Sequence, residues 1–305
     1  MGYRSLLIYV VMCISGAASF ATDAPPDDML SITDQPSSNM PQVLPPPSPM
    51  MQSNGIIIAY YGSPNSKRMG ILGRYTKEDL LPVIRAQTAM YESNIISNSV
   101  RGAFYIIYGV CTAGGNITTL PQHTMRSYIE YAQSNGLLVY VDHQIGRFSI
   151  GYAMRSIMPF LQYDNVHLAL DPEWRTSRPL EEIGSVSSEE LNIAQTMMQG
   201  YMISNNISGK RQLVVHQFHK KMITARYMVR SDNEQVMLVH ATSGIGPPAA
   251  KKMTHTYNAY ATNMPFKAFK LWFPSSTTDQ KCDKPIMSPC DVLSLTPQPM
   301  LIIYQ

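Results

Sequence analysis

The stretch VHLALDPEWR, residues 166 to 175, ends an apolar run with two carboxylates on either side of a proline, then a tryptophan and an arginine. Side chains alternate between the two faces of a strand. Val166, Leu168 and Leu170 therefore share one face, and His167, Ala169, Asp171 and, while the chain stays extended, Glu173 share the other. Pro172 has no amide hydrogen to give to a ladder and keeps Asp171 extended. The D-x-E spacing at a strand end thus aims two carboxyl groups into one space. Close carboxylates do not both ionise cheaply, so one holds its proton to higher pH and suits work as a general acid. Glu173 is the candidate acid and Asp171 its partner. The competing reading is a turn-forming Asp-Pro, with Asp171 paired to Arg175 and Trp174 capping the fold.

Other apolar runs end in groups of the same kind. They are Tyr60 with Tyr61, Tyr108, Asp142 with His143 and Gln144, His216 with Gln217, His240, Lys270 with Trp272, and Tyr304 with Gln305. Asp142 is a third candidate catalytic carboxylate, as a second base or an orienting group. Tyr61, Tyr108, Gln144, Trp174, Arg175, His216, Gln217, His240 and Trp272 are candidate substrate-binding residues. Trp174 and Trp272 are the chain's only tryptophans, and an indole face stacks well on a sugar ring. Asp142, His216 and His240 together would make a carboxylate and imidazole metal set. No H-x-H or H-E-x-x-H spacing supports it, so no metal and no other cofactor is assigned. G-x-S-x-G and P-loop patterns are absent.

Positioning such groups requires a scaffold, and the chain from residue 55 onward supplies one. Short β-rich runs at 56–62, 102–110, 137–143, 166–171, 212–218, 235–241, 266–273 and 299–305 alternate with helical material. Thr76 with Asp79, Pro121, Ser187 with Glu190, and Pro247-Pro248 mark helix starts. The run KKMITARYMV after residue 218 takes the helical place between the fifth and sixth strands. Alternating units imply parallel strands, and eight over about 250 residues is the size of a (β/α)8 TIM barrel, whose sites lie at the C-terminal strand ends. An open doubly wound sheet is the alternative, but the first loop, YGSPNSKRMGILG, lacks a G-x-G-x-x-G phosphate cradle.

The flanking sequence places this domain. Arg4, the apolar LLIYVVMCISGAA and Ser19-Phe20-Ala21 read as a secretory signal over 1–21. Residues 22–54, rich in Pro and Ser, read as a flexible tether through which protein partners would act, and 55–305 as the barrel. The protein is expected to be secreted, periplasmic or at the cell surface, touching membrane only through the signal. A formal charge of +3 and scattered Lys and Arg exclude a nucleic-acid footprint. The expected ligand is a glycan or other small polar molecule. In an oxidising compartment Cys282 and Cys290 are the natural disulfide, which leaves Cys111 as a free thiol.

The chain also resembles a group of secreted bacterial glycoside-hydrolase-like barrel proteins. The likeness runs over about 57–305 through AYYGSP with MGILG, LDPEWR, EEIGSV, HQF with MIT, and a terminal YQ. More narrowly, Asp171-Pro172-Glu173 is similar to the D-x-E that ends strand four of chitinase-like family 18 glycoside hydrolases. That resemblance implies Glu173 as proton donor and Asp171 as the group positioning a substrate acetamido nucleophile. The aspartates that precede the pair in that family are replaced here by VHLAL. Other barrel glycosidases end strand seven in a second glutamate, and FKLWFPSS carries none. A tethered, non-catalytic glycan-binding or envelope-assembly barrel, and a metal-dependent hydrolase, are the alternatives.

Overall fold

The structure, a computed structural model, describes residues 55–95, 99–274 and 282–305. The expected signal and tether lie outside these residues. Eight parallel strands close into a barrel: β1 (Ile56–Ser63), β2 (Val100–Thr112), β3 (Leu138–His143), β4 (Val166–Leu170), β5 (Arg211–Gln217), β6 (Val236–Thr242), β7 (Phe266–Leu271) and β8 (Leu301–Tyr304). Closure is by β1, which pairs in parallel with β2 on one side and β8 on the other. Short antiparallel additions, Ser66–Gly70 and Asn116–Thr119, extend the ends of β1 and β2.

Helices α1 (Lys77–Glu92), α2 (Gln122–Ser134), α3 (Ile150–Ile157), α4 (Ser188–Ser204), α5 (Pro248–Ala259) and the short α6 (Pro289–Leu293) cover the outside. Local chemistry sets their starts. Thr76 accepts the Asp79 amide, and Ser187 forms a complete capping box with Glu190. Among the described residues no helix is long and apolar enough to cross a membrane.

The expected helix between β5 and β6 is absent. KKMITARYMV forms two 3-10 turns, Lys220–Met222 and Arg226–Met228. The β-branched pair Ile223–Thr224 instead runs parallel to Val186–Ser187, and Ala225 takes a left-handed backbone (φ 48°), which breaks any helix there.

The wall separates two apolar layers. Odd-numbered residues of β1 and β2, such as Ala59, Tyr61, Ala103 and Tyr105, fill the barrel with Tyr140, Ala169, Val214, Val239, Ala241 and Ala268. Their neighbours Ile58, Phe104, Val141, Leu168, Leu170, Leu213 and Leu238 face the helices. Inside, small alanines leave room for a column of tyrosines. Tyr105 stacks on Tyr140 with ring centres 5.0 Å apart, and Tyr61 tilts against Tyr105 at 5.2 Å. Each ring needs a partner for its hydroxyl in so dry a place. Tyr61 donates to Asp142 Oδ2 (3.1 Å), Tyr140 to Gln212 Oε1 (2.7 Å), and Tyr105 meets His216 Nε2 (2.7 Å).

Candidate active site

The inward positions at the C-terminal strand ends bring together Tyr61 (β1), Asp142 (β3), Asp171 and Glu173 (after β4), His216 (β5) and Lys270 (β7). Asp171 still belongs to the sheet, since its amide donates to the His143 carbonyl at 3.1 Å. Its carboxylate then caps a 3-10 turn, Pro172–Trp174, by accepting the Glu173 amide at 3.3 Å. The EEIGSV segment braces that turn. Gly184 donates to the Glu173 carbonyl at 2.7 Å, and a Cβ at Gly184 would fall 2.6 Å from Pro172 O and from both Arg175 N and Arg175 O. Only glycine permits this approach.

Electrostatics divide the three carboxyls. Burial pushes Asp142 up to about 8, with help from the Asp171 charge and against the opposing pull of Lys270 and the Tyr61 hydroxyl. Burial and then Asp171 push Glu173 up to about 8 as well. Asp171 rises only to about 6, because Lys270, the Glu173 amide and a side-chain hydrogen bond from Trp174 all favour its charged form. Near pH 7 the cluster therefore holds one carboxylate, Asp171, between two carboxylic acids. Asp142, Asp171, Lys270 and His216 are buried, whereas Glu173 and the two tryptophans keep partial solvent access. Glu173 is the acid that an incoming molecule meets.

Lys270 lies over the face of Tyr61, 3.6 Å from the ring centre, and 4.7 Å from that of Trp272. Trp272 is fixed in turn, its indole nitrogen donating to Ser243 O at 3.2 Å. Behind this strand end sits a buried ion pair. Lys251 Nζ meets Asp283 Oδ2 at 3.0 Å and donates to the carbonyls of Gly244 (2.6 Å) and Lys270 (2.7 Å). Asp283 accepts the amides of Trp272 (2.9 Å) and Gly246 (3.0 Å). The pair is a clasp on the backbone that presents Lys270.

Other candidate binding residues do not reach the mouth. Tyr108 falls on the helix side of β2 by strand parity and packs edge-on against Phe160. Gln217 and His240 also point outward. They bond one another at 2.8 Å, and His240 Nδ1 faces Lys267 Nζ at 3.4 Å. A metal set of Asp142, His216 and His240 is thereby ruled out, because the sheet separates the two imidazoles. Among the described residues no group of three or more His, Cys, Asp or Glu is placed to hold a metal.

Arg175 pairs with Glu190 at 2.9 Å and donates to Phe148 O, so it anchors the loop rather than the ligand, and it leaves Asp171 unpaired with arginine. Gln144 spends its carbonyl on the Cys111 amide at 2.8 Å. Cys282 and Cys290 are free thiols and form no disulfide. Cys290 Sγ opens α6 facing Asn94 Oδ1 at 2.7 Å, which turns it toward the end of α1. Two surface clefts, of about 450 Å³ beside Lys252 and His255 and about 390 Å³ beside Lys77 and Arg126, include none of the mouth residues.

Sequence reasoning sets Lys270 on the ring of strand ends but assigns it no role, because a carboxylate is the group expected to end strand seven. It missed Lys251 and Asp283 altogether. Nothing local in KKM or KCDK signals that the two meet.

No protein family matches the chain's sequence, and no curated protein matches it. Among solved structures, the chain is similar to a GH138 enzyme targeting pectin rhamnogalacturonan II, with 11% identity and a TM-score of 0.43 over 82% of this chain and 35% of that one. It therefore spans about a third of that enzyme's length. It is also similar to a family 18 chitinase from Crocus vernus, with 10% identity and a TM-score of 0.36 over 67% of this chain and 82% of the other. A third is the catalytic domain of a family GH18 chitinase from the fern Peteris ryukyuensis, at 11% identity and a TM-score of 0.32 over 70% and 90% of the two chains.

Proposed function

We propose that the chain is a glycoside-hydrolase-like barrel that takes a glycan at its C-terminal mouth and protonates the departing oxygen from Glu173. One observation carries this reading: neighbouring carboxyls are pushed apart in acidity, and of the two pushed highest, Glu173 is the one that keeps solvent access. Such a split is how a site divides acid from base or charge stabiliser. Asp171, charged and beside it, then stabilises the positive charge that develops on the sugar ring. Asp142 is neutral and held by Tyr61, which suits it to orient a ligand rather than to abstract a proton. Trp174 and Trp272 flank the entrance as stacking faces. The D-x-E resemblance favours a sugar bearing an acetamido group, and Lys270 stands where a second glutamate would be needed for a two-glutamate route. Export under residues 1–21, with 22–54 as tether, would set this mouth at the cell envelope.

A second reading has its own observation. The polar floor is almost sealed, with Asp142 at 0%, Asp171 at 5% and Lys270 at 3% exposure. That favours a tethered barrel which binds a glycan end without cleaving it.

The test is incubation of the purified chain with amino-sugar and neutral oligosaccharides, with binding and products both read by mass spectrometry. Cleavage is expected, selective for the amino-sugar set. Binding with no product across pH 5 to 9 would establish the binding barrel instead.

A further inference from the structure

Three lysines are buried around the β6 and β7 strand ends, and two are fully occupied. Lys251 holds Asp283 and two carbonyls. Lys267 donates to Asn258 O at 2.8 Å and Ala261 O at 3.1 Å and faces His240. Lys270 differs. It is 3% exposed, yet among the described residues its amine makes no hydrogen bond or close ion pair, and it lies against the ring faces of Tyr61 and Trp272. Ring faces hold an ammonium less firmly than hydrogen-bonding partners do, so of the three lysines this is the one whose amine stays available. This one is aimed into the mouth, across from three carboxyl groups.

We infer that Lys270 is a carbonyl-trapping amine, which forms an imine with a small hydroxy-aldehyde or hydroxy-ketone, such as the open-chain form of a reducing sugar, that enters the mouth. The choice of ligand follows from charge. An anion drawn to Lys270 would be set against the Asp171 carboxylate, whereas a carbonyl is neutral and needs what the site offers: an amine, a proton donor and aromatic walls that exclude water. Burial also lowers Lys270 to about 8, despite the three carboxyls that oppose the shift, and this leaves a usable neutral fraction near pH 7.

The step balances without a redox partner. The Nζ lone pair forms a bond to the carbonyl carbon while the carbonyl oxygen takes a proton from Glu173, giving a carbinolamine. The nitrogen returns a proton to the Glu173 carboxylate. The hydroxyl then takes a proton and leaves as water, and the C=N bond forms as an iminium. One water is released and one proton is taken up overall. This inference stands whether or not the barrel cleaves a glycan.

The experiment treats the full chain with glycolaldehyde and cyanoborohydride, which reduces an iminium to a stable secondary amine, and maps adducts by peptide mass spectrometry. Lys270 is expected to be labelled at least tenfold faster than exposed Lys67, Lys252 or Lys284, and more slowly in Glu173→Gln. Lys270→Arg keeps the charge but forms no such adduct, so its remaining labelling should be confined to slow surface sites while its thermal melt shows it folded. Should Lys270→Arg fail to fold, the site map of the wild-type chain decides alone. Labelling of the exposed lysines as fast as Lys270, or with Lys270 silent, overturns the proposal.

Discussion

Glu173→Gln is expected to lower glycan turnover by roughly 10²- to 10⁴-fold, the usual contribution of a positioned general acid, while binding changes little. Glutamine keeps the shape and the hydrogen-bonding capacity but has no proton to give. The pH profile supplies the sign. Activity requires Asp171 ionised, so kcat/KM rises with pH through about 6, and it requires Glu173 protonated, so kcat/KM falls through about 8. In the glutamine variant the alkaline fall should vanish from whatever activity remains. The same change should show in stability. The folded state holds the Glu173 proton more tightly than the unfolded chain does, so this residue's contribution is greatest below the ordinary carboxyl range and is lost as pH climbs from about 4.5 toward 8. Glu173→Gln should therefore melt above the wild type at pH 8 and level with it near pH 4. A variant that keeps full turnover would remove Glu173 from the chemistry.

Lys251→Met is expected to cost about 3–5 kcal/mol of stability, the range for stripping one partner from a buried ion pair. The reason is what it leaves behind. Asp283 is 1% exposed and would keep only the amides of Trp272 and Gly246 around its charge. Two carbonyls, those of Gly244 and Lys270, would lose their donor in the same stroke. Chemical denaturation of the single variant and of Lys251→Met with Asp283→Leu separates the causes. The double variant should recover much of the loss, because it removes the stranded charge. Equal losses in both would mean that the lost hydrogen bonds to the strand-seven backbone dominate.

The barrel was legible because its signals are local and repeated. Each strand is a short apolar run, and helix starts such as Ser187 with Glu190 are written within four residues. The one helix that failed, after β5, failed through Ile223 and Thr224, whose partners at Val186 and Ser187 lie far back in the chain. At the site, parity decided what could be read. Counting alternate residues from Val166 turned Asp171 inward, but Glu173 comes beside it through the 3-10 turn Pro172–Trp174, where extended alternation no longer holds. The same count, applied to β2, β5 and β6, would have turned Tyr108, Gln217 and His240 outward; they were chosen for chemical type at a strand end. Arg175 illustrates the other limit. Its partner Glu190 is fifteen residues on, across a loop whose path no spacing rule predicts.

The tyrosine column has a use for the experimenter. Burial raises Tyr61, Tyr105 and Tyr140 far above the ordinary phenol range. Their rings will stay un-ionised in alkaline buffer for as long as the barrel is closed, and they will release protons together when it opens. The absorbance of tyrosinate, followed against pH, is then an indicator dye built into the barrel axis. The delayed step marks the moment the wall gives way.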